Sequence, residues 1–249
     1  MHVLALLAAV PLAACSFHTA DHDSAPGIKG QGAGTARTCQ VAGFSGVSLR
    51  GSDDVDVRTG TGFSVRAEGP AAELDKLKIV KEGDTLRVGR IDGTGIHWGS
   101  TRDAGKVTIY VTMPRITAAN IAGSGDMSVD TADGASFTSD NAGSGALTIG
   151  TLTVDNAAFS LAGSGDVTVK GSAKHLKVVV AGSGNLDGSA LKADNADVSV
   201  AGSGDVKAAV SGPASVSVLG SGDVDLGAAA KCSISKLGSG SVRCGATPG

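Results

Sequence analysis

Apolar and polar residues alternate in short runs along the second half of this 249-residue chain, as in Phe159-Ser160-Leu161, Val198-Ser199-Val200 and Val216-Ser217-Val218. A period of two, rich in Val, Thr and Ile, predicts half-buried strands, and no stretch here carries the 3.6-residue pattern of an amphipathic helix. Seven Gly-Ser-Gly tripeptides punctuate the runs, at 123–125, 143–145, 163–165, 182–184, 202–204, 220–222 and 238–240. Around them the likeness widens: Asp155-Asn-Ala-Ala-Phe-Ser-Leu-Ala-Gly-Ser-Gly-Asp166-Val is echoed by Asp194-Asn-Ala-Asp-Val-Ser-Val-Ala-Gly-Ser-Gly-Asp205-Val. A fixed beat of about twenty residues with one tight turn per unit predicts an all-β solenoid, a parallel β-helix whose coils stack along one axis.

Glycine at two positions of three is expected to supply positive φ angles where the chain turns, and the serine between them to hydrogen-bond the turn backbone. The interior is expected to be narrow and filled by Ala, Val, Leu and Ile. One coil cannot fold alone; stability must come from stacking, and terminal coils need protection. Six repeat intervals at ~4.8 Å per rung make the regular part, 123–246, a rod roughly 30 Å tall.

Asp126, Asp166, Asp205 and Asp223 follow four of the tripeptides, with Ala146, Asn185 and Ser241 in the same place elsewhere. A calcium roll needs aspartates at nonapeptide spacing, so no metal site is expected. The aspartates are expected to cap N–H groups of their own turns as Asx turns. Cys232 and Cys244 flank the last tripeptide and are candidates for a disulfide closing the final coil, where Lys236 replaces the inward Leu161 or Val218 of sister repeats. Cys39 is left over, and its partner is open.

Residues 41–122 form a less regular part of the same domain. Strands are predicted at Val41–Leu49, Asp54–Val57, Phe63–Ala67 and Val107–Pro114, a short helix or turn at Pro70–Leu77, and a hairpin pairing Ile79-Val80 with Leu86–Val88. The segment from Ile91 to Gly105 holds His97, the single tryptophan Trp98, and Arg102. Trp98 either stacks on a sugar or anchors a protein partner there, or folds back with Ile96 over an open end of the core.

The apolar run Val3–Leu12 is too short to span a bilayer and ends in Leu12-Ala13-Ala14-Cys15-Ser16, which looks like a bacterial lipobox. Residues 1–14 then read as a signal peptide, Cys15 as the lipidated residue that anchors the protein to a membrane, and 15–40 as a flexible tether. By resemblance to bacterial lipoproteins, Ser16 favours the outer membrane. His18, Asp21, His22 and Asp23 read as solvated tether, since no helical pattern gathers them.

A net charge of −3 with no basic run, and aromatics at 3%, exclude the usual surfaces for nucleic acid. No coil carries the opposed carboxylates of a glycosidase, and no nucleophile elbow is present, so a non-enzymatic protein without cofactor is expected. The alternatives are a polysaccharide lyase or hydrolase on a β-helix, and an envelope sensor or scaffold.

Specific features accumulate ahead of the repeats: Phe44, then Val47-Ser48-Leu49, a Gly51-Ser52-Asp53-Asp54-Val55 step, Leu74 to Leu77, Ile79-Val80, Thr85-Leu86, and Val107, Tyr110 and Met113-Pro114 feeding Ile121-Ala122-Gly123-Ser124-Gly125-Asp126. In this order, with seven tripeptides in phase, the chain resembles the putative auto-transporter adhesin, head GIN domain family (DUF2807) over about residues 41–245. The resemblance implies a right-handed parallel β-helix similar in shape to pectin lyase-like folds, no recognised catalytic set, and adhesion at the bacterial surface to a protein or glycan partner. Barrel strands and a heptad stalk are missing, so the lipid is the expected anchor.

Overall fold

The computed structural model describes residues 27–91 and 105–245. They form a β-solenoid of about six turns with about 20 residues per coil. The order is β1 (Ala36–Cys39), β2 (Gly46–Gly51), β3 (Asp54–Thr59), β4 (Ser64–Glu68), α1 (Ala71–Leu74), β5 (Leu77–Glu82), β6 (Thr85–Arg90), β7 (Thr108–Met113) and β8 (Ala118–Gly123). The regular coils follow as long bent strands: β9 (Met127–Gly143), β10 (Leu147–Gly163), β11 (Val167–Gly182) and β12 (Leu186–Gly202). Shorter pieces finish the rod: β13 (Val206–Val210), β14 (Pro213–Gly220), β15 (Val224–Asp225), β16 (Lys231–Leu237) and β17 (Val242–Arg243).

Each coil lays down parallel rungs in register with its neighbours. On the first face, ahead of the corners, the inward column runs Leu49, Ile121, Asn141, Leu161, Val180, Val200, Val218 and Lys236. On the second face, past the corners, it runs Ile109, Val55, Met127, Leu147, Val167, Leu186, Val206, Val224 and Val242. Alternation thus buries about one residue in two, and apolar residues stack on apolar ones except where Asn141 and Lys236 interrupt the first column. The interior also takes aromatic rings: Phe137 and Phe159 are buried with centroids 6.2 Å apart.

The corners correct two expectations. Only the first glycine of each tripeptide has a positive φ, from +130° to +142°. The second is buried and lies so close to the preceding coil that a Cβ on Gly204 would run into the Gly184 carbonyl and come within 2.8 Å of Val180 Cγ1. Stacking, not turning, demands that glycine. The serine contributes its backbone rather than its hydroxyl: Ser144 and Gly145 N–H both donate to the Gly123 carbonyl of the coil before, at 2.9 and 3.1 Å, and the pattern recurs up the rod.

The coils are not stacked in chain order. β6 pairs with β2 and β7 with β3, both parallel, while β8 and β9 stack on the opposite sides of β2 and β3. The β2–β3 coil therefore lies between the β6–β7 coil and the rest. At that end β4 runs antiparallel to β7, β1 to β4, and β5 to β6.

At the other end, the strand past Gly227 is held by a disulfide between Cys232 and Cys244. There Lys236 takes the inward position, and its Nζ donates to the Gly240 carbonyl at 2.7 Å. Ile234 and Leu237 are exposed on this last rung.

Candidate functional site

Cys15, His18, Asp21, His22, Asp23, His97, Trp98 and Arg102 lie outside the described residues. Cys39 is buried and unbridged, and burial holds its thiol above the ordinary range. Among the described residues no group of three or more His, Cys, Asp or Glu side chains could hold a metal ion.

The aspartates that follow the corners do not form local Asx turns. Each reaches along the axis to the next coil: Asp54 Oδ1 accepts from Asp126 N–H at 2.9 Å, Asp126 from Ala146 at 3.0 Å, and Asp166 from Asn185 at 3.0 Å. Asn185 continues to Asp205, Asp205 to Asp223, and Asp223 to both the N–H and the hydroxyl of Ser241. These two bonds from Ser241 hold Asp223 below the usual carboxylate range. The parallel ladder leaves this N–H facing the rung before it, so the carboxylate on that rung is the nearest acceptor. Ala146 and Asn185 also separate Asp126, Asp166 and Asp205, whose charges would repel at ~4.8 Å, while Asp54 and Asp126, and Asp205 and Asp223, stay on adjacent rungs.

Where sister corners carry the second glycine, Gly51-Ser52-Asp53 has an aspartate. No tripeptide corner precedes this coil, so its side chain has room. Asp53 is buried and bidentate to Arg90, at 2.6 and 2.8 Å, and accepts Val107 N–H at 3.2 Å. Arg90 also pairs with the buried Glu73 at α1, which Lys76 holds at 2.7 Å. Hydrogen bonds to Asp53, and then to Glu73, keep the guanidinium above its ordinary range. This lock fastens the hairpin and α1 onto the first coil. The sequence signal was the broken third position of the corner.

Two recesses border this end. One, of about 500 Å³, is lined by Ile28, Leu74, Leu77, Ile79 and Cys39, with Lys29 and the Arg37–Asp75 ion pair at its rim. The other, of about 390 Å³, is a groove on the outer side of the second face. Tyr110 is 39% exposed there, beside Asp54, Asp56, Asp126, Thr108, Ser128 and Thr148. Register places Tyr110, Asp56, Ser128 and Thr148 in one outward column across β7, β3, β9 and β10. Arg58 grips Asp56 at 3.0 and 3.3 Å, and Lys106 grips Asp54 at 2.7 Å. Tyr110 was legible only as a strand residue, because its exposure depends on which strands flank β7.

The chain is similar to several solved structures. A putative adhesin from Bacteroides fragilis NCTC 9343 is 21% identical, with a TM-score of 0.76 over 88% of this chain and 100% of that one. A putative lipid binding protein from Parabacteroides distasonis ATCC 8503 is 22% identical, with a TM-score of 0.64 over 86% and 98%. A putative adhesin from Parabacteroides merdae ATCC 43184 is 14% identical, with a TM-score of 0.65 over 88% and 99%. At these identities the likeness is one of fold. No curated protein matches the chain. A family profile described as "Putative auto-transporter adhesin, head GIN domain" matches residues 43–230. With that profile spanning most of its length, the chain belongs to the auto-transporter adhesin, head GIN domain family.

Proposed function

We propose that this chain is a non-enzymatic envelope lipoprotein whose solenoid makes adhesive contacts with a surface protein or glycan, tethered to the outer membrane through Cys15. The reading rests on one observation: residues 43–230, matched to an adhesin head, form a rod whose outward columns repeat from coil to coil. Such a rod presents groups at fixed spacing and needs no moving part, which suits binding better than turnover. Pull-down from intact cells tests it, with the wild-type chain expected to capture a surface component and Trp98→Ala less of it. Palmitate labelling that is lost in Cys15→Ser is expected for the anchor. Turnover of a polysaccharide panel, with and without Ca²⁺, is expected to be nil; cleavage of any member overturns the non-enzymatic reading.

The recess near the N-terminal end favours a second reading, the binding of an amphiphile. Its walls are aliphatic and its rim cationic, the chemistry of an acyl chain with an anionic head. One solved structure of this fold, from Parabacteroides distasonis ATCC 8503, is a putative lipid binding protein. Displacement of a fluorescent fatty acid by palmitate, weakened in Leu77→Arg, is the expected result; no uptake of the probe sinks this second reading.

A further inference from the structure

We propose that the groove beside Tyr110 is a subsite for a neutral hexopyranose unit of a glycan. The inference deepens the reading above by naming a ligand class and a place. Of the other described aromatic residues, Phe44, Phe137 and Phe159 are buried, and Phe63, though 37% exposed, has its ring packed on Phe44 with centroids 4.9 Å apart. Tyr110 instead presents its ring to solvent in a groove of about 390 Å³, within the range of small-ligand sites, ~300–1,000 Å³. An exposed ring offers an apolar face with a polar tip, matching the C–H face and hydroxyl rim of a pyranose.

The groups around it supply the hydroxyl chemistry. Asp54 and Asp126 each use Oδ1 in the inter-coil ladder, and their Oδ2 atoms have no hydrogen-bond partner among the described residues. Those oxygens can accept only from donors, and sugar hydroxyls are donors. Arg58 and Lys106 hold Asp56 and Asp54 in place, so the acceptors are set before a ligand arrives. Ser128 and Thr148 continue the column, each one rung on, at ~4.8 Å. That step is close to the length of one pyranose in an extended chain, so a glycan lying along the axis would meet a hydroxyl at each unit. Three carboxylates in the groove disfavour a uronate.

Tyr110 is the chain's single tyrosine, so ¹³C-tyrosine labelling of the purified full-length chain gives a single ring environment. Titration with chitotetraose, cellotetraose and mannotetraose is expected to move that signal saturably for at least one of them, and tetragalacturonate to leave it still. By calorimetry, Tyr110→Ala is expected to weaken the same tetramer at least about tenfold, and Tyr110→Phe to stay within about threefold. Because the side chain faces outward, both variants are expected to keep the wild-type melting temperature. A silent titration with all three neutral tetramers, or Tyr110→Ala binding as tightly as wild type, overturns the subsite. Either result leaves envelope attachment, read by the palmitate label, untouched.

Discussion

At the residue scale the corner glycines separate two physical demands that the sequence writes identically. The first glycine of each tripeptide answers both to φ and to the neighbouring coil's backbone, and the second to that backbone alone. Substitution tells them apart. Gly83 sits in the β5–β6 turn at φ +55° with open space around its missing side chain, so Gly83→Ala is expected to cost only the left-handed penalty, about 1–2 kcal/mol. Gly204→Ala must push rigid backbone aside and is expected to cost more, roughly 3 kcal/mol or above. Urea-denaturation midpoints of the two variants check the order. A second residue carries the opposite sign. Ser139 is buried with no partner for its hydroxyl among the described residues, so Ser139→Ala is expected to raise stability by about 1 kcal/mol in the same assay. Neither the second glycine's role nor the stranded hydroxyl was legible, because both depend on which atoms the adjacent coil brings alongside.

At the element scale the two ends of the rod are fastened by different chemistry. The N-terminal cap hangs on Glu73, whose carboxyl is held below its ordinary range by Lys76 first and Arg90 next. With its folded value depressed, this group stabilises fully above the unfolded value of about 4.3 and less as pH falls through the folded one. The protection of β5 and β6 against hydrogen exchange, taken relative to the intrinsic rate at each pH, is therefore expected to fall below about pH 4, ahead of β10 to β12, and Glu73→Gln is expected to be poorly protected at neutral pH as well. At the far end the Cys232–Cys244 bridge closes a sequence separation of 12, so reduction is expected to remove about 2–3 kcal/mol from the last coil. Limited proteolysis after reduction is expected to cut near Gly227 to Ala230 first, while β9 to β12 stay protected. The two cysteines were visible as flanks of the last tripeptide. The Asp53–Arg90–Glu73 lock was not, since 37 residues separate Asp53 from Arg90 and no local pattern joins them.

At the scale of the whole molecule, alternation and the tripeptide beat made the solenoid legible, because every regular coil repeats the same local rule. The order of coils at the N-terminal end was hidden, since β2–β3 precedes β6–β7 in the chain yet lies on its inner side. Local pattern says that a strand exists, and only long-range pairing says which rung it occupies. The regular coils make a stronger claim, that each is an interchangeable unit held by its neighbours. Removing residues 164–182 joins Gly163 to Ser183 and rebuilds a Gly-Ser-Gly corner with Gly184. The rungs brought together then match: Leu147 meets Leu186, Leu152 meets Leu191, and Leu161 meets Val200, positions already in register through β11. This shortened chain is expected to keep its strand signal by circular dichroism, melt cooperatively, and lose one rung, ~4.8 Å, of length by X-ray scattering. Removing 164–173 instead would bring Lys174-His175-Leu176 into the corner and set every later Gly-Ser-Gly half a coil out of phase with the coils before it, so that variant is expected to unfold or aggregate. Equal tolerance of both deletions would mean that the coils are not the unit of stability.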